Sequence, residues 1–383
     1  MITEMNIRAG GKMAPDFMLL LGNRDITHNF SSRLIDLSLT DNRGQDADEL
    51  KITLDDSQGL IDLPERGMSL SLWLGWQGTA LEYKGSYTVD SIQFTGAPDR
   101  LTIQGRSADF RGSLNSRREQ SWHDTTIGEI VQTIAARNAL SASVAADLSS
   151  IAVEHIDQTQ ESDAVFLTRL AERNGAFASI KEGNVLFMKA GSALTASGTP
   201  VPLMVIERGD GDNHTFSISD RTAHTGVTAK WLQTSDPKKQ NPKLTLNRQP
   251  ALPAPGASPH PNAASTSGAT NTAQQPQEKL AGEAGNVLEL PTVYASEAQA
   301  LRAAEAKWRA LQRDVVTFSI KLAIGRADLF PETPVRVKGF KPVIDEQPWI
   351  INRVVHNLNG TGFTTQLHLE LDIKEEKFTQ ESD

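Results

Sequence analysis

The sequence predicts a mainly β protein with α+β insertions, in which two antiparallel β units flank a small α+β unit. Three observations carry this: period-2 apolar alternation in the first and last thirds, helical spacing between them, and turn residues at short intervals. At 383 residues the chain suits two or three domains.

In the first β unit, residues 1–115, Ile35, Leu37 and Leu39 alternate with Asp36, Ser38 and Thr40. Leu50, Ile52 and Leu54 repeat the pattern, and Met68, Leu70, Leu72, Leu74 and Trp76 extend it furthest. Tyr87 and Val89 then change phase to Ile92 and Phe94, which predicts a bulge near Ser91. Leu101 and Ile103 end the series, and turns at 41–44, 57–59, 64–67 and 96–99 separate the runs. Five or six strands without an intervening helix predict an antiparallel barrel or sandwich.

The period changes in residues 116–200. Thr126 and Glu129 form a capping box ahead of Ile127, Ile130, Val131 and Ile134, an amphipathic spacing that ends near Asn138. Ser162 is the N-cap of a second helix, with Asp163 in the first turn where the helix dipole favours an acid. Phe166, Leu170 and Ala171 line its buried face, and Asn174-Gly175 reads as a left-handed C-cap. Val185 and Phe187 predict a following strand.

The second β unit spans 201–383. Val227, Ala229 and Trp231 alternate, and a Pro-rich flexible loop is predicted at 235–280, because eight of the 18 prolines fall between 237 and 276 with almost no apolar bulk. Ser296 and Gln299 suggest a further capping box, followed by an apolar stripe of Leu301, Ala304, Trp308 and Leu311. Lys307, Arg309 and Arg313 suit the C-terminal end of that helix. Alternation returns in Val316, Phe318, Ile320 and Leu322, in Val335 and Val337, and in Thr365, Leu367, Leu369 and Leu371.

Composition narrows function mainly by exclusion. The net charge of −9 disfavours general nucleic-acid binding, and the absence of cysteine removes disulfides, thiolate zinc sites and cysteine nucleophiles. No apolar run approaches the ~20 residues needed to span a bilayer, so no stable membrane insertion is expected. The first residues lack the pattern of a secretory leader, which predicts synthesis in a cytoplasm. None of the eight histidines falls in a His-x-x-x-His pattern, and phosphate-binding and nucleophile-elbow motifs are absent. The stretch 209–213 reads as a tight turn rather than a calcium loop. Glu161 and Asp163 flank a helix start, and Asp55 and Asp56 sit beside a turn. No catalytic apparatus, cofactor or metal is therefore expected.

Residues 158–176 are more specific. Gln158, Glu161, Ser162, Asp163, Phe166, Leu167, Arg169, Leu170, Ala171, Gly175 and Ala176 resemble, at the same spacing, the Gln-x-x-Glu-Ser-Asp-x-x-Phe-Leu-x-Arg-Leu-Ala…Gly-Ala motif of the phage late control gene D family. Upstream, Ser121-Trp122-His123 resembles that family's Ser-Trp-His segment, and 294–300 and 353–358 resemble its later segments. These are baseplate hub proteins of P2-like contractile tails, related to the N-terminal part of type VI secretion spike proteins. One departure is Glu346-Gln347-Pro348-Trp349, where the family often has Gly-x-Trp.

The resemblance implies two tube-like β-barrel domains per subunit, a homotrimer with pseudo-sixfold symmetry, and a structural role in the virion's tail baseplate. It implies the tail tube protein and the membrane-piercing tail spike as partners, with the tape measure protein and baseplate wedge as further candidates. It also suggests that Trp122, Glu161, Ser162, Asp163, Phe166, Leu167, Arg169, Leu170 and Gly175 form a structural motif. On that reading Phe166, Leu170 and Arg169 dock their helix against a barrel, and acidic groups line the lumen of the hub. Two alternatives compete: a tail-associated cell-wall hydrolase built on a carboxylate pair, and a peptidoglycan-binding module using Trp73 or Trp76.

Overall fold

The computed structural model describes residues 14–44, 46–107, 113–195, 197–219, 224, 226–231, 243–248, 286–373 and 378–382. The first β unit contains β1 (Pro15–Leu21), β2 (Arg24–Asp25), α1 (Thr27–Ser31), β3 (Leu34–Asn42), β4 (Glu49–Asp55), β5 (Ser69–Trp76), β6 (Glu82–Thr95) and β7 (Arg100–Arg106). Its strands run antiparallel in the order β3-β4-β7-β6-β5-β1-β2. Most of the alternating residues predicted to point inward do so: Leu37, Leu39, Leu50, Ile52, Leu54, Leu70, Leu72, Leu74 and Ile103 form one buried core, whereas Ile35 lies outside it and Phe94 is exposed. The predicted bulge is present, because the β6–β7 register slips between Val89 and Ser91. Met68 departs from the pattern and is exposed, since the strand begins one residue later.

The α+β unit follows with β8 (Arg117–Thr126), α2 (Ile127–Arg137), β9 (Ser141–Val144), α3 (Ala146–Ser149), β10 (Ala152–Ser162), α4 (Asp163–Arg173), β11 (Ala176–Lys181) and β12 (Asn184–Lys189). Strands β8 and β10 form a two-stranded ribbon, and β11-β12-β9 a three-stranded sheet. The Thr126–Glu129 capping box is made in both directions. Ile127, Ile130, Val131 and Ile134 of α2 meet Phe166, Leu167 and Leu170 of α4 in a second core, which Phe187 completes.

The rest of the chain supplies β13 (Met204–Glu207), β14 (Gly211–Ile218), β15 (Gly226–Trp231), β16 (Lys243–Arg248), β17 (Val287–Tyr294), α5 (Glu297–Val315), β18 (Val316–Leu322), β19 (Pro334–Lys338), α6 (Pro342–Asp345), β20 (Trp349–Asn359), β21 (Gly362–Leu371) and β22 (Phe378–Ser382). It holds two cores where the sequence suggested one. Phe318, Ile320, Val335, Trp349, Ile351 and Leu367 form the core of the second β unit. A separate sheet, β17-β15-β16-β22, packs Val227 and Ala229 against Ala300, Ala304 and Trp308 of α5. The reason is the apolar stripe of α5, which needs an apolar face of its own to cover it.

Two further expectations change. Lys243–Arg248 falls within the stretch read as a Pro-rich loop at 235–280, yet it pairs as a strand with β15 and β22; the remainder of that stretch lies outside the described residues. Ser296 is the N-cap of α5, but its hydroxyl caps no backbone N–H.

Each β unit has its own core, the first also taking in Ala327, Leu358 and Phe363 of the second, and the two are fused edge to edge. Strand β3 pairs with β20 from Asn42↔Arg353 to Asp36↔Asn359, which makes one 13-stranded sheet. An unpaired β3 edge would leave a row of backbone groups unsatisfied, and β20 satisfies them. The Trp76 indole N–H donates to the Gly325 carbonyl across the same seam at 2.9 Å, with its ring 5.5 Å from Phe363. The Lys84 ammonium donates to the carbonyls of Ala327 and Leu329, each at 3.1 Å.

Gly325 has no room for a side chain, because a Cβ there would lie 2.5 Å from the Phe363 ring. Gly325→Ala is expected to destabilise the fold by about 1–3 kcal/mol through overpacking, read from urea unfolding.

Candidate functional site

The nine motif residues lie in the α+β unit, and the β8–β10 ribbon organises them. A register slip between Thr159 and Glu161 leaves Gln160 with φ +53 and delivers Glu161, Ser162 and Asp163 to the start of α4. The Ser162 hydroxyl accepts from the Val165 N–H at 3.3 Å, the expected N-cap. Gly175 closes the helix with φ +64, a left-handed conformation that favours glycine.

Asp163 is fully buried and surrounded by donors. The Arg137 guanidinium donates to both of its carboxylate oxygens, through Nε at 2.8 Å and through Nη2. Asn138 Nδ2 donates at 2.8 Å and Gln158 Nε2 at 2.9 Å. Burial alone would raise its pKa, but the hydrogen bonds from Arg137, Gln158 and Asn138 hold the carboxyl below its ordinary value. Arg137 also donates to the side-chain oxygens of Gln120 at 2.6 Å and Gln158 at 3.1 Å. One buried carboxylate thus ties together β8, α2, β10 and α4.

The aromatic side of the motif packs beside it. Trp122 stacks on Phe166 with centroids 6.3 Å apart, and the Arg137 and Arg169 guanidiniums lie over these two rings at 6.0 Å and 5.1 Å respectively. Arg169 pairs with Glu161 and donates to the Asp157 carbonyl at 2.6 Å. Leu167 and Leu170 complete the buried face. The expectation that Phe166, Leu170 and Arg169 dock α4 onto a barrel is therefore corrected, because Phe166 and Leu170 are consumed in the unit's own core and Arg169 is held there by Glu161 and the Asp157 carbonyl. Helix α4 instead meets α5, where the nearest atoms to a Cβ built at Gly175 belong to Ala306, at 3.6 Å.

Two ionic junctions escaped the sequence reading. In the first, Arg43 follows β3 and pairs with Glu370 of β21 and, at 3.5 Å, with Glu332. Asn352 Nδ2 donates to Glu370 at 3.0 Å, and Glu332 accepts the Gly191 N–H at 2.9 Å. Arg313 sits in the last turn of α5 as expected, is buried, and donates to the Ala190 carbonyl at 3.1 Å. Burial pushes the Glu332 carboxyl up to about 7. In the second junction, Lys181 of β11 pairs with Asp41 and with Asp48, the latter at 3.0 Å, and burial pushes Asp48 up to about 6. These contacts clamp the α+β unit onto both β units. The signal that could have exposed them, opposite charges at strand ends, is too common to single out pairs.

Neither raised carboxyl opens onto a substrate-sized space, since each is nearly buried and held by ion pairs. A half-open cleft between β10, α4, β17 and α5, lined by His155, Arg173, Tyr294 and Arg302, offers about 40 Å³, room for roughly three waters. Among the described residues no group of three or more metal-ligating side chains converges. Trp73 lies on the outer face of β5 against Tyr83 at 4.8 Å, whereas Trp76 is committed to the seam.

Comparison with known proteins agrees with this architecture. Residues 46–361 match the model of a family described as phage tail baseplate hub (GPD). The chain is 62% identical over 387 residues to a probable baseplate hub protein of Escherichia phage 186, with both chains covered in full. It is 54% identical over 387 residues, again with full coverage, to a probable baseplate hub protein of Escherichia phage P2. Among solved structures it resembles the 43 kDa tail protein of prophage MuSo2 from Shewanella oneidensis, with a TM-score of 0.66 and 12% identity, covering 94% of this chain and 99% of the other.

Two outcomes test the electrostatics. Asp163→Ala strips Arg137 of its buried partner and is expected to cost about 3 kcal/mol in urea unfolding. Glu332→Gln tests the first junction. The raised carboxyl takes up a proton on folding, so its contribution to stability is full below about pH 4.5, its ordinary value, and lost as pH rises through about 7. Relative to wild type, the variant should gain about 1–3 kcal/mol between pH 5 and pH 8. His356, buried with its pKa driven well down by burial, titrates in the opposite sense but is common to both proteins, so it cancels in the difference.

Proposed function

The chain belongs to the phage tail baseplate hub family, and from that premise we propose that three copies form a ring joining the sixfold tail tube to a trimeric membrane-piercing spike. It is a baseplate hub, a structural component of the phage tail and so of the virion. The observation that carries the finer reading is the fusion of two β units within one chain through the β3–β20 ladder. Three such chains present six β units, which is how a threefold assembly can meet a sixfold tube.

The internal clamps suit this role. The ring must transmit force during tail contraction without its two β units shearing apart. Seven paired positions along β3–β20, the Trp76 and Lys84 contacts and both ionic junctions resist that shear. The units are alike in kind and differ in detail: the first is wholly antiparallel, whereas β13 and β19 of the second run parallel. Six-fold symmetry built this way is approximate, which leaves the second unit free to differ where the spike is met.

On this reading the protein turns over no substrate, and its partners are the spike and tube proteins, with the tape measure protein and baseplate wedge nearby. It is made in the host cytoplasm and assembled there into the tail.

Light scattering of the purified chain, alone and with its cognate spike, tests the proposal. Three hub copies per spike trimer are expected; a monomer indifferent to the spike would overturn it. A zymogram on peptidoglycan is expected to stay unclear, and a clearing zone would favour the hydrolase.

A further inference from the structure

The exposed face of the β8–β10 ribbon carries a histidine pair that the hub architecture does not use. His123 of β8 and His155 of β10 stand directly opposite each other in the ladder, although 32 positions separate them in the chain. Their rings lie with centroids 4.5 Å apart and 29° between planes, and the two Nδ1 atoms are 3.1 Å apart. Both side chains are exposed, so no packing requirement accounts for bringing two imidazole nitrogens together.

Asp157, two residues beyond His155 on the same face, completes the arrangement. Its Oδ2 lies 3.0 Å from His155 Nε2, and the Ser121 hydroxyl, opposite Asp157 in the ladder, hydrogen-bonds the same carboxylate. A carboxylate that accepts at Nε2 fixes the proton there and leaves the Nδ1 lone pair of His155 bare, aimed at His123. With one proton the pair shares a hydrogen bond between the Nδ1 atoms. When that proton leaves Nδ1 of His123 and the ring carries its hydrogen on Nε2, two lone pairs face one point.

An ion bound at about 2.0–2.1 Å from both nitrogens, at this separation, subtends an angle of about 100°, between octahedral and tetrahedral values. Neutral imidazole suits borderline divalent transition ions and not magnesium or calcium, which prefer oxygen. A carboxylate hydrogen-bonded to the far nitrogen of a ligating histidine is the usual support for such a ligand. We propose that His123 and His155 form a cross-strand chelate for a divalent transition-metal ion, oriented by Asp157, with water filling the remaining positions. The bound ion staples the ribbon whose opposite face carries Trp122 and Gln158.

Calorimetric titration of the full-length, EDTA-treated protein with NiCl2, ZnCl2 and CuCl2 tests this. One equivalent should bind, with Cu²⁺ tighter than Ni²⁺ or Zn²⁺ and with no response to Mg²⁺ or Ca²⁺. His123→Ala and His155→Ala should each weaken binding at least tenfold, and Asp157→Asn by about tenfold. All three side chains are exposed, so the variants should keep the wild-type melting temperature without metal, and Ni²⁺ should raise that temperature most in the wild type, less in Asp157→Asn and least in the histidine variants. Binding that survives the double histidine variant, or a wild type that fails to bind at millimolar metal, would overturn the site. An unchanged affinity in Asp157→Asn would overturn the orienting role of the carboxylate.

Discussion

Strands β3 and β20 come from opposite ends of the chain, and their antiparallel ladder turns two β units into one sheet. Much else depends on it. The ladder sets Trp76 against Gly325 and Lys84 against the carbonyls at 327 and 329, and it brings Arg43 to Glu370. A backbone ladder suits this task because its many groups share a load, and because its register is fixed by which side chains must face each core. Leu39 opposite His356 and Leu37 opposite Leu358 lie on that inward face, so a slip by one residue would turn apolar groups outward.

The ionic clusters act on specificity of arrangement more than on net stability. Moving Arg43, Glu370 and Glu332 out of water is costly, and their mutual attraction only offsets that cost when the geometry is satisfied. The clusters nevertheless admit few alternative placements of the α+β unit, because Lys181 must meet Asp41 and Asp48 while Gly191 meets Glu332. A protein that works by holding shape gains from such all-or-none contacts. The same burial that raises Asp48 and Glu332 would, in an open cleft, suggest acid–base catalysis. Here both groups face partners from other units, which makes them structural.

The family motif has a physical meaning once Asp163 is seen in place. Glu161, Ser162 and Asp163 are three consecutive answers to one problem, the turn from a bulged strand into a helix. Glu161 holds Arg169, Ser162 caps the backbone, and Asp163 faces inward to collect α2 and β8. Reading the acid as a helix-dipole residue was correct and incomplete, since its position in the first turn says nothing of Arg137.

Local patterns in the sequence determined most strands of the two β units, the bulge near Ser91, the Thr126 and Ser162 caps, and most of the inward-facing residues, but not the β8–β10 ribbon. Alternation and helical spacing record which side of an element is buried, and caps and bulges record where it starts and bends. The motif at 158–176 also carried the family. Only the tertiary structure decided that β3 pairs with β20, that α5 covers a sheet of its own, that Arg313 is buried, and that His123 meets His155. Periodicity says that a face must be covered but not by what, and a cross-strand partner is set by register between segments that share no local signal.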